Sequence, residues 1–161
     1  MIETLEQGGI RFYTGVAGAR VYINSPGMPI WQYIFKGYTD ATGVFNISVP
    51  VGTNKYMISK TGYKTASGSV MVYDGETSIV YVNMVTLSAM DTIMIGNLEI
   101  ISPAGAVVYI NDSIQQMFTP VTITDLPQGD YVLTLVKNDR EYTTFATVVT
   151  NITSTISINL E

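Results

Sequence analysis

Proton transfer and nucleophilic attack near neutrality draw chiefly on His, Cys, and carboxylates or lysines with shifted pKa values. This chain of 161 residues contains no His and no Cys. That excludes disulfide frameworks, Cys/His metal sites, thiol nucleophiles and every His-based triad. Carboxylates, hydroxyls, a few Lys and 11 Tyr are left to do chemistry. No spacing singles out a carboxylate pair for general acid–base work. Two oxygen-rich stretches, Asn111-Asp112-Ser113 and Asn138-Asp139, lack the ligand spacing of an EF-hand loop and read as hairpin turns. The expectation is a protein that is not an enzyme, with no catalytic residue, no metal and no cofactor.

The richest chemistry in the chain is non-covalent. Met28-Pro-Ile-Trp-Gln-Tyr-Ile-Phe-Lys-Gly37 concentrates large rings in a few residues. Written as a strand from Ile30 to Tyr38, it places Trp31, Tyr33 and Phe35 on one face, with Ile30, Gln32, Ile34 and Lys36 on the other. Such a face can be plain core, an anchor at a protein interface, or a platform on which sugar rings stack. Trp31, Tyr33 and Phe35 are the candidate interface residues.

These side chains must be held by strands. Apolar residues make up 47% of the chain and charged residues only 13%, a balance that opposes disorder. A surface this poor in ions, built from Thr, Ser, Asn and Tyr, can be buried against a neighbour without stranding charge. The net charge is −5. Residues 1–90 carry six basic and five acidic side chains, net +1, while residues 91–161 carry two and eight, net −6. Nucleic acid is therefore not an expected partner. The asymmetry suits stacking of one half against the other in an assembly, or a solvated acidic face.

The N-terminal Met1-Ile-Glu-Thr-Leu-Glu6 has neither a basic segment nor an apolar stretch, so no secretory signal is read there. Ten of the 19 residues of the charge-free run Tyr142–Leu160 are Thr, Ser or Asn, which reads as two strands rather than a membrane helix.

Period-two alternation dominates, with turn signals at Asn24-Ser-Pro-Gly27, Asp40-Ala-Thr-Gly43, Pro50-Val-Gly52, Asp74-Gly75, Ser102-Pro-Ala-Gly105, Pro127-Gln-Gly129 and Asn138-Asp139. The chain also repeats itself. Gly18-Ala-Arg-Val-Tyr-Ile-Asn24 matches Gly105-Ala-Val-Val-Tyr-Ile-Asn111 at an offset of 87, and Pro50, Gly52 and Lys60 match Pro127, Gly129 and Lys137 at an offset of 77. The change in offset marks an insertion in the first copy between Asn24 and Pro50. The predicted architecture is all-β: two tandem immunoglobulin-like or transthyretin-like β-sandwich modules joined by a short packed linker. An N-terminal arm and first strand occupy residues 1–14, the first sandwich 15–86, the linker 87–95 and the second sandwich 96–161. Met84, Met90 and Met94 read as adaptable filler around the linker.

Residues 96–161 resemble a PEGA domain, through Pro103-Ala-Gly-Ala106, Val107-Val-Tyr-Ile-Asn111, Thr119-Pro120 and Leu126-Pro-Gln-Gly-Asp-Tyr131. Residues 15–86 are similar to carboxypeptidase-regulatory and Cna-B-like sandwiches, through Gly18-Ala19, Thr39-Asp-Ala-Thr-Gly-Val-Phe45, Val49-Pro-Val-Gly52 and Lys60-Thr-Gly-Tyr63. These resemblances imply surface scaffolds, stalks and recognition modules, with no catalytic residue to carry over. They also imply that a Lys–Asn/Asp isopeptide cross-link is conceivable, with Lys36, Lys55, Lys60 or Lys64 as donor, although no motif supplies its acid catalyst.

The reading that joins a surface-type sandwich to a signal-free start is a structural protein of a virus particle. The expected role is an auxiliary or decoration protein on a phage virion, with capsid or tail proteins and further copies of itself as partners. It would be made in the host cytoplasm without membrane insertion, and Met1–Gly9 would add to a neighbour's sheet edge. The alternative is a tandem stalk or glycan-binding module of a cell-surface or S-layer-type protein.

Overall fold

Short runs of β-branched and aromatic residues, punctuated every eight to twelve positions, leave the chain few options other than sheets. In the computed structural model the described residues are 6–89, 94–111 and 113–159. They form two compact units, 1–86 and 87–161. The first contains β1 (Gln7–Tyr13), β2 (Arg20–Asn24), β3 (Ile34–Tyr38), β4 (Val44–Pro50), β5 (Gly52–Ser59), β6 (Ala66–Val72) and β7 (Thr77–Tyr81). The second contains β8 (Ile95–Ser102), β9 (Val107–Ile110), β10 (Ser113–Phe118), β11 (Val121–Pro127), β12 (Gly129–Lys137), β13 (Arg140–Val148) and β14 (Thr153–Ser157).

The two units share one topology. The first stacks a sheet of order β4-β1-β7 on one of order β3-β2-β5-β6; the second has β11-β8-β14 and β10-β9-β12-β13. Each strand of one is the seventh after its counterpart in the other. Pairing is antiparallel except at β1–β7 and β8–β14, which run parallel. The all-β, two-sandwich expectation holds, and the repeat seen at ten positions of the sequence extends to every strand.

Strand alternation fills each core. Ile10 and Phe12 of β1, Val21 and Ile23 of β2, Val49, Ile58 and Val72 form one buried cluster. The Phe12 ring meets Tyr56 edge-on at 5.1 Å. The second unit buries Leu98, Ile100, Val108, Ile110, Leu133, Leu135 and Ala146 in the corresponding strands. Each Val, Leu, Ile or Phe among them contributes on the order of 1.5–3 kcal/mol relative to exposure.

The alternation in the sequence predicts thirteen strands, and twelve of them have counterparts within a few residues. β10 was not anticipated, because Asn111-Asp112-Ser113 reads as a loop and Gln115-Gln116 breaks the apolar alternation; Asp112 lies outside the described residues. The remaining expected strand, Ile30–Tyr38, starts four residues late. The expected arm is also shortened. Gln7, Gly8 and Gly9 pair with Pro50, Val49 and Ser48 inside their own sheet, and the Glu6 carbonyl accepts the Val51 N–H at 3.0 Å. Only residues 1–5, outside the described part, are left of it; Met90 of the linker lies outside as well.

Two devices recur in both units. Where β1 and β8 begin, a glycine passes against the turn before the last strand. A Cβ on Gly8 would sit 2.2 Å from the Tyr73 carbonyl oxygen, and one on Gly96 2.1 Å from that of Val149. The second device is a threonine clamp just after β3 and β10. The Thr39 hydroxyl accepts the buried Ala19 N–H at 2.8 Å and donates to the Val16 carbonyl at 2.6 Å. Its backbone exchanges further bonds with Gly18 and Ala19. Thr119 repeats this, accepting from the Ala106 N–H at 3.0 Å and donating to the Pro103 carbonyl. Thr39→Val keeps the shape but strands a buried donor, so it should lower unfolding free energy by about 1–3 kcal/mol, while Thr39→Ser should restore most of it. Urea melts of the three proteins check this, and equal midpoints for wild type and Thr39→Val would contradict the clamp.

Candidate functional site

The inserted segment is shaped by Asn24, the last residue of β2. Its buried amide donates to the Pro29 carbonyl at 2.7 Å and to the Gln32 carbonyl at 2.6 Å. The Gln32 N–H bonds back to Pro29 at 3.0 Å. These bonds hold residues 29–32 as a turn, and Pro29 has no N–H to give a ladder. β3 therefore begins at Ile34. Trp31 and Tyr33 precede it and are half-buried, while Phe35 alone of the three candidates stands on the strand, 45% exposed. The alternation expected to bring all three to one face does not operate at Trp31 and Tyr33. Burial raises the Tyr33 phenol above its ordinary pKa of 10.0.

Phe35 belongs instead to a different ring cluster. Val21 and Ile23 point into the core, so Arg20 and Tyr22 of β2 face outward. A register shift between Val21 and Tyr22 pairs Phe35 with Tyr22 and Tyr38 with Arg20, leaving Lys36 as the extra residue of a bulge. The bulge is why Phe35 and Tyr38, three apart, share a face. Gly37 closes it at φ 150°, where a Cβ would press to 2.8 Å of the Phe45 ring. Ring centroids lie 5.6 Å apart for Tyr22–Phe35 and 5.2 Å for Phe35–Tyr38, and the Arg20 guanidinium stands 5.8 Å from the Tyr38 centroid. Burial raises the Tyr22 phenol above 10.0, opposed by the charge of Arg20 and a hydrogen bond from it. Tyr38 remains 54% exposed.

Sequence reasoning missed Tyr22, Tyr38 and Arg20. The signal was present for two of them, because Arg20 and Tyr22 alternate with Val21 and Ile23. Tyr38 needed the bulge, which no periodicity shows. A second pair lies on the outer face of the other sheet, where Tyr13 and Tyr81, partners in the β1–β7 register, stack at 5.2 Å and 18°. Tyr81 is 79% exposed.

Among the described residues no group of three or more acidic, His or Cys side chains could hold a metal, and no helix is long and apolar enough to cross a membrane. Asn138 and Asp139 form the β12–β13 hairpin turn, both at positive φ, as that turn type requires.

Residues 95–161 match the PEGA domain family. The matched residues are those of the second sandwich, β8 to β14. The first module shows the same strand order. No curated protein matches the chain. Among solved structures, the Bacillus anthracis TIE protein is similar at 16% identity and a TM-score of 0.42, over 95% of this chain and 33% of that one. A streptococcal ancillary pilin is similar at 14% identity and a TM-score of 0.40, over 96% of this chain and 63% of that one. A DUF3823 family protein from Parabacteroides merdae gives 10%, 0.42, 92% and 100% respectively. The chain spans less than two thirds of the first two.

The turn that carries the chain from the aromatic strand into β4 depends on Asp40. Its carboxylate accepts the Thr42 hydroxyl at 2.7 Å, the Thr42 N–H at 2.9 Å and the Val44 N–H at 3.0 Å. The Thr42 hydroxyl first, then these amides, hold its pKa below 3.8. A depressed carboxylate contributes stability that is present above the unfolded-state pKa and is lost as pH falls through the folded-state value. Thermal melts of wild type and Asp40→Asn should therefore differ at neutral pH and converge as pH drops below 3.8. A gap independent of pH would show that the charge is not what matters.

Proposed function

We propose that this protein is a non-catalytic structural component that grips its neighbours through the outer faces of its sandwich sheets. Its proposed setting is the outside of a virus particle, as an auxiliary or decoration protein among capsid or tail proteins. One observation carries the assembly reading: Phe35 and Tyr38, each about half exposed, are locked with Tyr22 and Arg20 on a rigid sheet. Tyr and Arg are the residue types that most often anchor protein interfaces, and rings held by neighbours lose little freedom on binding. The low charge content supports the same reading, since a partner covering this surface meets few ions to desolvate.

The second reading is a tandem stalk or glycan-binding module at a cell surface. The PEGA match over residues 95–161 favours it, and the exposed Tyr13–Tyr81 stack offers a flat platform on which a sugar ring could rest. Under this reading the same aromatic face serves contacts along the stalk.

Sedimentation from the native source, with mass spectrometry of the fast fraction, separates the two. Stoichiometric recovery with capsid or tail proteins is expected. Recovery with wall or envelope would establish the stalk instead, and a soluble monomer found with neither would overturn both. Phe35→Ala and Tyr38→Ala should each weaken attachment by roughly 2 kcal/mol, about thirtyfold in affinity, with little change in thermal midpoint. Trp31→Ala and Tyr33→Ala, which sit off the strand, test whether the original candidates share the load.

A further inference from the structure

The duplicated topology gives one chain two equivalent sheet faces, one in each module, and their charges are of opposite sign. β2, β3, β5 and β6 contain no Asp or Glu. On the outward side of that sheet stand Arg20 and Lys55, beside Tyr22, Phe35 and Met57, in register across three strands. The inward side is fixed by Val21, Ile23, Ile58 and Val72 in the core, so alternation leaves no doubt about which residues face out.

The corresponding sheet of the second module is the electrical inverse. Val108, Ile110, Leu133, Leu135 and Ala146 point inward, so Asp130 of β12 and Glu141 of β13 point outward. Phe118 stands on the same outward side, opposite Val107 and 66% exposed, and Phe145 pairs with Val132 there. The two bases of these strands, Lys137 and Arg140, fall on the opposite alternation at the hairpin end, and Lys137 is bonded to the Ala104 carbonyl at 2.7 Å. The sign difference follows that of the whole chain, net +1 over residues 1–90 against −6 over 91–161.

We propose that the β3-β2-β5-β6 face of one copy docks on the β10-β9-β12-β13 face of a second copy. This rests on the assembly reading above and names the partner: this same chain. Each face combines large apolar side chains with charges of one sign, which is the arrangement that steers unlike patches together and keeps like patches apart. Face-to-face contact of two first modules would set Arg20 and Lys55 against themselves, and contact of two second modules would do the same to Asp130 and Glu141. Pairing unlike faces either closes an antiparallel dimer or grows a head-to-tail chain.

Sedimentation velocity of the intact protein, over a wide concentration range, tests this. Association should appear in about 0.01 M salt, where the Debye length is ~30 Å, and weaken in about 1 M salt, where it is ~3 Å. The double substitution Arg20→Glu with Lys55→Glu makes both faces acidic, and Asp130→Lys with Glu141→Lys makes both basic. Each variant alone should associate at least about tenfold more weakly than wild type, and an equimolar mixture of the two should recover association. Circular dichroism checks that both fold; if either does not, Lys55→Gln and Glu141→Gln carry the comparison. A dimer that stops at two and a growing chain both support the proposal. A monomer at near-millimolar protein, or association indifferent to these substitutions, overturns it. If the native protein still co-sediments with a particle, that failure removes only self-association and leaves the assembly reading standing.

Discussion

A single buried N–H in each sandwich, that of Ala19 and that of Ala106, must find an acceptor where the chain crosses from one sheet to the other. A threonine hydroxyl provides it. An unmade hydrogen bond at a site with no exposure is costly, and the clamp also fixes two loops against each other. The start of β2 and the end of β3 are thereby set at one height. Everything on the outer face of that sheet, including the offset that aligns Phe35 with Tyr22, inherits its position from this point. The same is true of β9 and β10.

How much of this could be read from residues alone varies with the kind of constraint. Alternation exposed the strands, because burial on one face of a sheet imposes a period of two on the sequence itself. The repeat was legible where identical side chains do identical work, as in Gly18–Asn24 and Gly105–Asn111. It was illegible where backbone does the work. The turn before β7 closes through Gly75 and that before β14 through Asn151, both at positive φ and with equivalent hydrogen bonds, yet no letter is shared. The same holds for Asn54 and Tyr131, which donate to the carbonyls of Pro50 and Pro127 by unlike groups.

The candidate site was the least legible part, for two physical reasons. A side-chain amide at Asn24 outcompetes the ladder for the Pro29 and Gln32 carbonyls, which takes Trp31 and Tyr33 off the strand. A bulge at Lys36 then reverses the alternation, which brings Tyr38 onto the face of Phe35. Neither a long-range capture of this sort nor a one-residue bulge leaves a periodic trace. Of the three rings named from that run, only Phe35 stands on β3, where it joins the Tyr22 and Tyr38 rings. Charge was easier: Arg20 and Lys55 in the first module, and Asp130 and Glu141 in the second, stand on outward alternation and keep the sign of their halves.

The parallel neighbours β1 and β7, and likewise β8 and β14, bear on how each module would respond to mechanical load. In each pair the first strand enters at one pole of the sandwich and the last leaves at the other. Tension applied through the two ends of a module would draw these neighbours past each other along their length. The bonds between them would then be strained together in shear, instead of parting one at a time as in a hairpin pulled from its open end. A chain built this way resists extension without a disulfide, which suits a protein that has no cysteine to make one.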